Sequence, residues 1–138
     1  MSPIGLIQII KQGARDGNTR VTIELGTLAI PIKEKDADSI ELIEVIINDP
    51  ELDKITWGET EKLFQEGIFQ LQILKKTRKV IKPKAGVIGT KAGYHVERLL
   101  NKNHTEDEAL EIFQDAIVWF NLISILKYTD EQQAKKTG

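Results

Sequence analysis

The stretch Arg20-Val21-Thr22-Ile23-Glu24-Leu25-Gly26-Thr27-Leu28-Ala29-Ile30-Pro31-Ile32-Lys33 decides how the fold is read from the sequence. Val21, Ile23 and Leu25 alternate with Thr22 and Glu24. Leu28, Ile30 and Ile32 repeat the alternation, so each half offers one apolar face with the period of a half-buried strand. Gly26-Thr27 lies between the halves, and glycine at the first central position is what a type II′ turn needs. The pattern predicts a β-hairpin over about residues 20–33. Pro31 has no N–H to donate, which makes the second strand an edge.

The flanking segments read as helical. Ser2, Pro3 and Gly13 punctuate a short helix over 3–12, with Ile4, Ile7 and Ile10 on one face. Asp38 followed by Glu41 has the form of a capping arrangement, and Ile40, Ile43, Ile46 and Ile47 then recur at helical spacing until Pro50 stops them. Thr56 with Glu59 is a second such box. It opens a helix to Lys76 with Leu63, Phe64, Leu71 and Leu74 as its stripe, and with Gly67 allowing a close approach. Residues 77–93 read as irregular. Val80-Ile81 and Val87-Ile88 fit either two short strands joined by Pro83-Lys84-Ala85-Gly86 or an exposed basic loop. A short helix over Tyr94–Lys102 follows. Thr105 with Glu108 caps a last helix that runs to about Tyr128.

These elements predict an α+β fold: an N-terminal helix, the hairpin, then three or four helices, the last central and largely buried. Residues 1–129 form one compact domain and 130–138 a polar tail. The 138 residues are 41% hydrophobic and 29% charged, an ordinary globular composition. The absence of cysteine excludes a disulfide framework and a thiolate metal site. It fits a reducing, cytoplasmic setting. The first residues have no basic leader, and no apolar run reaches the roughly 20 residues that cross a bilayer, so no membrane association is expected.

Charge is unevenly placed along the chain. Residues 1–74 carry 7 basic and 13 acidic side chains, residues 75–104 carry 9 and 1, and residues 105–138 carry 3 and 7. The basic block holds Lys75, Lys76, Arg78, Lys79, Lys82 and Lys84, then Lys91 among Gly86, Gly89 and Gly93, then His95, Arg98, Lys102 and His104. Cations beside glycines suit contacts to a phosphate backbone. Lys75, Lys76, Arg78, Lys79, Lys82, Lys84, Lys91 and Arg98 are therefore the candidate contacts to DNA, RNA or another polyanion. The competing reading is a solvated helix end whose lysines favour the helix dipole.

Known glycine motifs do not account for this block. No Gly-Lys-Ser/Thr follows at P-loop spacing, and GxGxxG is absent. Val87-Ile88-Gly89-Thr90-Lys91-Ala92-Gly93 superficially resembles the Val-Ile-Gly-x-x-Gly loop of KH domains, which clamps a nucleic-acid backbone. Its glycines are one residue too far apart. Arg98 and His104 fall within an Arg-x4–6-His spacing that resembles HEPN ribonucleases. That resemblance implies RNA cleavage by these two residues in an all-helical fold. Leu99 stands where that family usually has a polar residue. Glu41/Glu44 and Glu108/Glu111 each share a helix face, but both pairs sit in or near a first turn, where acids are expected for dipole reasons. With two histidines and no cysteine, no zinc site and no cofactor are expected.

The last helix changes character along its length. Ala109, Ile112, Phe113 and Ala116 line one side of its first half, with Glu111, Gln114 and Asp115 opposite. From Ala116 to Leu126 only Asn121 and Ser124 are polar. Val118, Leu122 and Ile125 continue the face that Glu111 and Asp115 begin. A helix apolar all round has to be covered all round, by its own domain or by another chain. Val118, Leu122 and Ile125 are thus candidate residues of a homo-oligomer interface, a dimer first. The leading expectation is a small non-enzymatic binding protein that presents the basic block to a polyanion. The alternative is an adaptor, inhibitor or immunity-type protein acting through its acidic surface or the apolar helix.

Overall fold

The computed structural model describes residues 3–22, 29–52, 56–79 and 87–137. Five α-helices dominate them: α1 (Pro3–Arg15), α2 (Asp36–Ile47), α3 (Trp57–Thr77), α4 (Val87–Asn101) and α5 (Glu106–Thr137), with a 3-10 turn at Pro50–Leu52. β1 (Arg20–Thr22) and β2 (Ala29–Pro31) pair antiparallel, with Val21 opposite Ile30. The expected α+β fold is corrected by this architecture. Three residues on each side make no sheet layer for helices to pack on, so the fold is mostly helical. Ile30 and Ile32 are buried, as the alternation required. The core they join is otherwise supplied by the helices. The Gly26-Thr27 turn lies outside the described residues.

The helices pack in the series α1–α2–α5–α3–α4, and α5 touches all four others. Ile7, Ile10 and Ala14 of α1 and Ile40, Leu42, Ile43 and Ile46 of α2 are buried in one core, where the two helices pack together. Leu63, Phe64 and Leu71 of α3 and Phe113, Ala116 and Phe120 of α5 belong to the same core where these helices pack, with Phe64 edge-on to Phe120 at 5.6 Å between centroids. At α4 the core is closed by Ala92, Val96 and Leu99.

Local signals explain most helix ends. Thr56 accepts from the Glu59 N–H while Glu59 reaches back to Thr56, the reciprocal box that satisfies two orphan donors. Thr105 and Glu108 do the same for α5. α1 runs through Gly13 to Arg15. Gly17, at φ 76°, ends it instead, with the Gly17 and Asn18 N–H groups returning to Ala14 and Gly13 carbonyls. α2 begins at Asp36, two residues before the expected Asp38 cap. The Asp36 carboxylate accepts from the Lys33 N–H at 2.8 Å. α4 begins at Val87, so Val87-Ile88 is a helix start and not a strand. Val80-Ile81 lies outside the described residues.

α5 spans 32 residues, past the expected end near Tyr128. Residues 126–137 contain neither proline nor glycine, and alanine, glutamine and lysine favour helix. The helix is central, but it is not covered all round. Ala109, Ile112, Phe113, Ala116, Trp119, Phe120 and Ile123 face the core, whereas Val118 is 66% and Ile125 62% exposed, with Leu122 half-buried. α2 and α3 take its flanks and leave the outer face open. No helix among the described residues is long and apolar enough to cross a membrane.

Candidate functional site

The folded chain divides the basic block into two groups. The first lies where α3 ends and α5 begins. Lys75, Lys76, Arg78 and Lys79 occupy the last turn of α3 and the residues after it, and all four are exposed. Arg78 adopts a left-handed conformation at φ 60° and closes α3 through its N–H to the Leu74 carbonyl. A cleft of about 580 Å³ opens here, lined by Lys75, Arg78, Leu100, His104, Thr105, Glu106 and Asp107. Lys75 pairs with Asp107, and Arg78 lies 3.4 Å from Glu106. Lys76 and Lys79 form no ion pair among the described residues. Lys82 and Lys84 lie outside them.

The second group points into the protein. Lys91 reaches Asp49 at 2.8 Å and Glu51 at 3.0 Å, and only 19% of Lys91 and 14% of Asp49 side chain is exposed. The ammonium holds the Asp49 carboxyl below its usual range, and the two carboxylates raise Lys91 in return. One turn along α4, His95 is 1% exposed. Its Nδ1 accepts a long bond of 3.4 Å from Arg98 Nε, and its Nε2 has no partner among the described residues. Burial, with Arg98 and Lys91 nearby and only Asp49 opposing them, pushes the imidazole down to about 4. Lys91 is thus held in a largely buried ion pair, and the Arg98 Nε is turned towards His95.

The other candidates resolve in the same manner. The glycines of the KH-like stretch lie within α4, not in a loop, and the Gly89 carbonyl accepts from Gln70 Nε2 at 3.1 Å. Arg98 engages His95, while His104, which lines the cleft, has its Nδ1 3.5 Å from Glu108, so the two residues of the HEPN-like pair hold different partners. Glu41 meets Arg15 and Lys102, Glu44 meets Lys11 and Gln8, and Glu111 meets Lys35. No group of three acidic or imidazole side chains among the described residues is placed to hold a metal ion.

His95 is the residue that the sequence reading placed wrongly, among surface cations. With α4 extended back to Val87, it falls on the same face as Ala92, Val96 and Leu99, a signal present in the spacing. Comparison with family models, with curated proteins and with solved structures finds no match.

Proposed function

We propose that the protein is a non-enzymatic binding protein that contacts a polyanion, nucleic acid first, through the cleft between α3 and α5. The observation that carries this is the exposed cluster of Lys75, Lys76, Arg78 and Lys79 at the end of α3, of which Lys75 and Arg78 line that cleft. Its internal ion pairs are exposed ones, worth about 0–1 kcal/mol each. A phosphate chain can exchange with Glu106 and Asp107 at little cost. Lys91, held by a largely buried pair, cannot be recruited so cheaply.

Binding to a duplex oligonucleotide across a salt series tests the reading. Lys75→Gln, Lys76→Gln and Lys79→Gln together should lower the log–log salt slope by about 3. Asp107→Asn, which removes the internal competitor, should tighten binding, and Lys91→Gln should leave affinity unchanged. No binding at low salt rejects the proposal.

A second reading is favoured by the exposed apolar side chains of Val118 and Ile125. In this reading the outer face of α5 is a protein-contact surface, and self-association into a dimer comes first. A dimer would present two clefts to one polyanion and so strengthen weak phosphate contacts.

A further inference from the structure

We propose that the polyanion is a single-stranded nucleic acid, one base of which stacks on Phe69 of α3 while Lys62 and Lys76 hold phosphates on either side. The proposal rests on the polyanion reading above. It adds the form of the nucleic acid and two residues, Lys62 and Phe69, that the basic block does not contain.

The outer face of α3 carries a symmetrical pattern. Lys62, Gln65, Phe69, Gln72 and Lys76 follow one another at spacings of three, four, three and four, so they stand in one line along the helix. All five are exposed. The buried residues of α3, Leu63, Phe64, Gly67, Gln70 and Leu71 among them, lie off this line, where α3 packs on α4 and α5. Phe69 is at the centre, with an amide one turn away in each direction and an ammonium two turns away. Lys76 also belongs to the cluster at the end of α3, so the line is continuous with the site already described.

None of the five side chains holds a hydrogen bond, ion pair or ring contact among the described residues. Cations elsewhere are placed differently. Lys11, Lys35, Lys75, Lys91 and Lys102 are each paired with an acid. Glu61 and Glu66 border the line and are half-buried, and the Glu66 carboxylate accepts from Gln70 Nε2 at 3.2 Å. Trp57 and Tyr94, the other exposed aromatics described, lean on the rings of Phe120 and His95. Phe69 is 51% exposed and leans on no ring. A single apolar side chain at a surface needs no explanation of its own. A bare ring between two amides and two unpaired cations is the combination that single-strand binding uses.

Each group has a part in that binding. The phenyl face stacks on a base, the ammonium groups neutralise phosphates, and Gln65 and Gln72 offer donors and acceptors to a base edge. A duplex cannot use the ring, because each of its bases is already covered by its neighbours in the stack. Lys62 and Lys76 are about 21 Å apart along the axis, which is about six nucleotides at duplex spacing and fewer in an extended strand. A short unpaired stretch therefore reaches the ring and both cations together.

The test is fluorescence anisotropy of labelled oligothymidine and oligouridine of about twelve nucleotides, twice that span, beside a duplex of equal length. Phe69→Leu keeps an apolar side chain and a good helix former but removes the aromatic face. It should lower single-strand affinity about tenfold or more, with the salt slope unchanged, and leave duplex affinity as it is. Phe69→Trp should bind the single strand at least as well as the native chain. Lys62→Gln should reduce the single-strand salt slope by about 0.7. These exposed positions leave the fold intact, which the urea midpoints of the variants report. If both forms bind and Phe69→Leu weakens neither, stacking is overturned and the polyanion reading stands. The same holds if Phe69→Trp loses as much affinity as Phe69→Leu. No binding of either form at low salt overturns both. The oligothymidine and oligouridine arms separate DNA from RNA as the source of the strand.

Discussion

Gly67 of α3 lies directly against the ring of Phe113 on α5. A Cβ at position 67 would stand 2.7 Å from Cδ1 and 2.8 Å from Cζ, and closer still to Cε1. Phe113 is fully buried, so its ring has nowhere to go. This pair sets the separation of the two longest helices.

Gly67→Ala is expected to destabilise the protein, against the usual trend for a helix interior. Alanine gains about 1 kcal/mol of helix propensity. Overpacking a filled core costs about 1–3 kcal/mol, and a rigid ring keeps the cost near the upper end. The net loss should be about 1–2 kcal/mol by chemical denaturation. In a Phe113→Leu background, where the ring is gone, the same substitution should be neutral or stabilising by up to about 1 kcal/mol. Equal costs in both backgrounds would show that the ring is not the obstacle.

His95 gives stability a pH dependence with a defined sign. Its folded pKa of about 4 lies below the usual 6.5, so the unfolded chain binds the proton more readily between those values. The contribution is fully present above pH 6.5 and is lost as pH falls towards 4. The shift is equivalent to at most about 3 kcal/mol. Urea midpoints measured from pH 7.5 to 4 should fall through this window, and His95→Leu should flatten the fall. At pH 7 that variant should cost little, since it also removes a buried N–H without a described partner.

Asp49 and Lys91 should behave unlike the exposed pairs. Asp49→Asn leaves the Lys91 ammonium with the exposed Glu51 alone, and a loss of about 1–2 kcal/mol is expected. Because the folded Asp49 carboxyl is held below its ordinary value, its contribution is present above pH 4 and disappears as pH drops below that. In 1 M salt most of the Asp49→Asn effect should persist. The cost of Glu41→Gln, whose partners Arg15 and Lys102 are exposed, should fade.

What the sequence disclosed was local, and what it hid was tertiary. The caps at Thr56 and Thr105, the close approach at Gly67 and the loss of polarity at Val118 are each readable within one or two turns. The alternation over 20–33 is real at Ile30 and Ile32, yet alternation says nothing of how far a ribbon extends. Neighbouring helices outweighed it. Residues 77–93 looked irregular because Gly89 and Gly93 weaken helix propensity, which α4 recovers by packing on α3. The basic block looked uniform along the chain. Its division follows from acids distant in sequence, Asp49 for Lys91 and Glu106 for Arg78, whose approach no spacing rule encodes.

Thr105 joins stability to the proposed site, since it caps α5 and lines the cleft. Its hydroxyl accepts from the Glu108 N–H at 3.1 Å, and it also helps hold the Glu108 carboxyl below its ordinary value. Thr105→Ala removes that cap and should cost about 1 kcal/mol of stability. Thr105→Ser keeps the hydroxyl and should restore most of it. If the cap also fixes where Glu106 and Asp107 stand against Arg78 and Lys75, Thr105→Ala should loosen both pairs and free the two cations. Oligonucleotide affinity at low salt should then rise although stability falls. Stability and affinity falling together would mean that the cleft needs an intact helix start more than it needs unpaired cations.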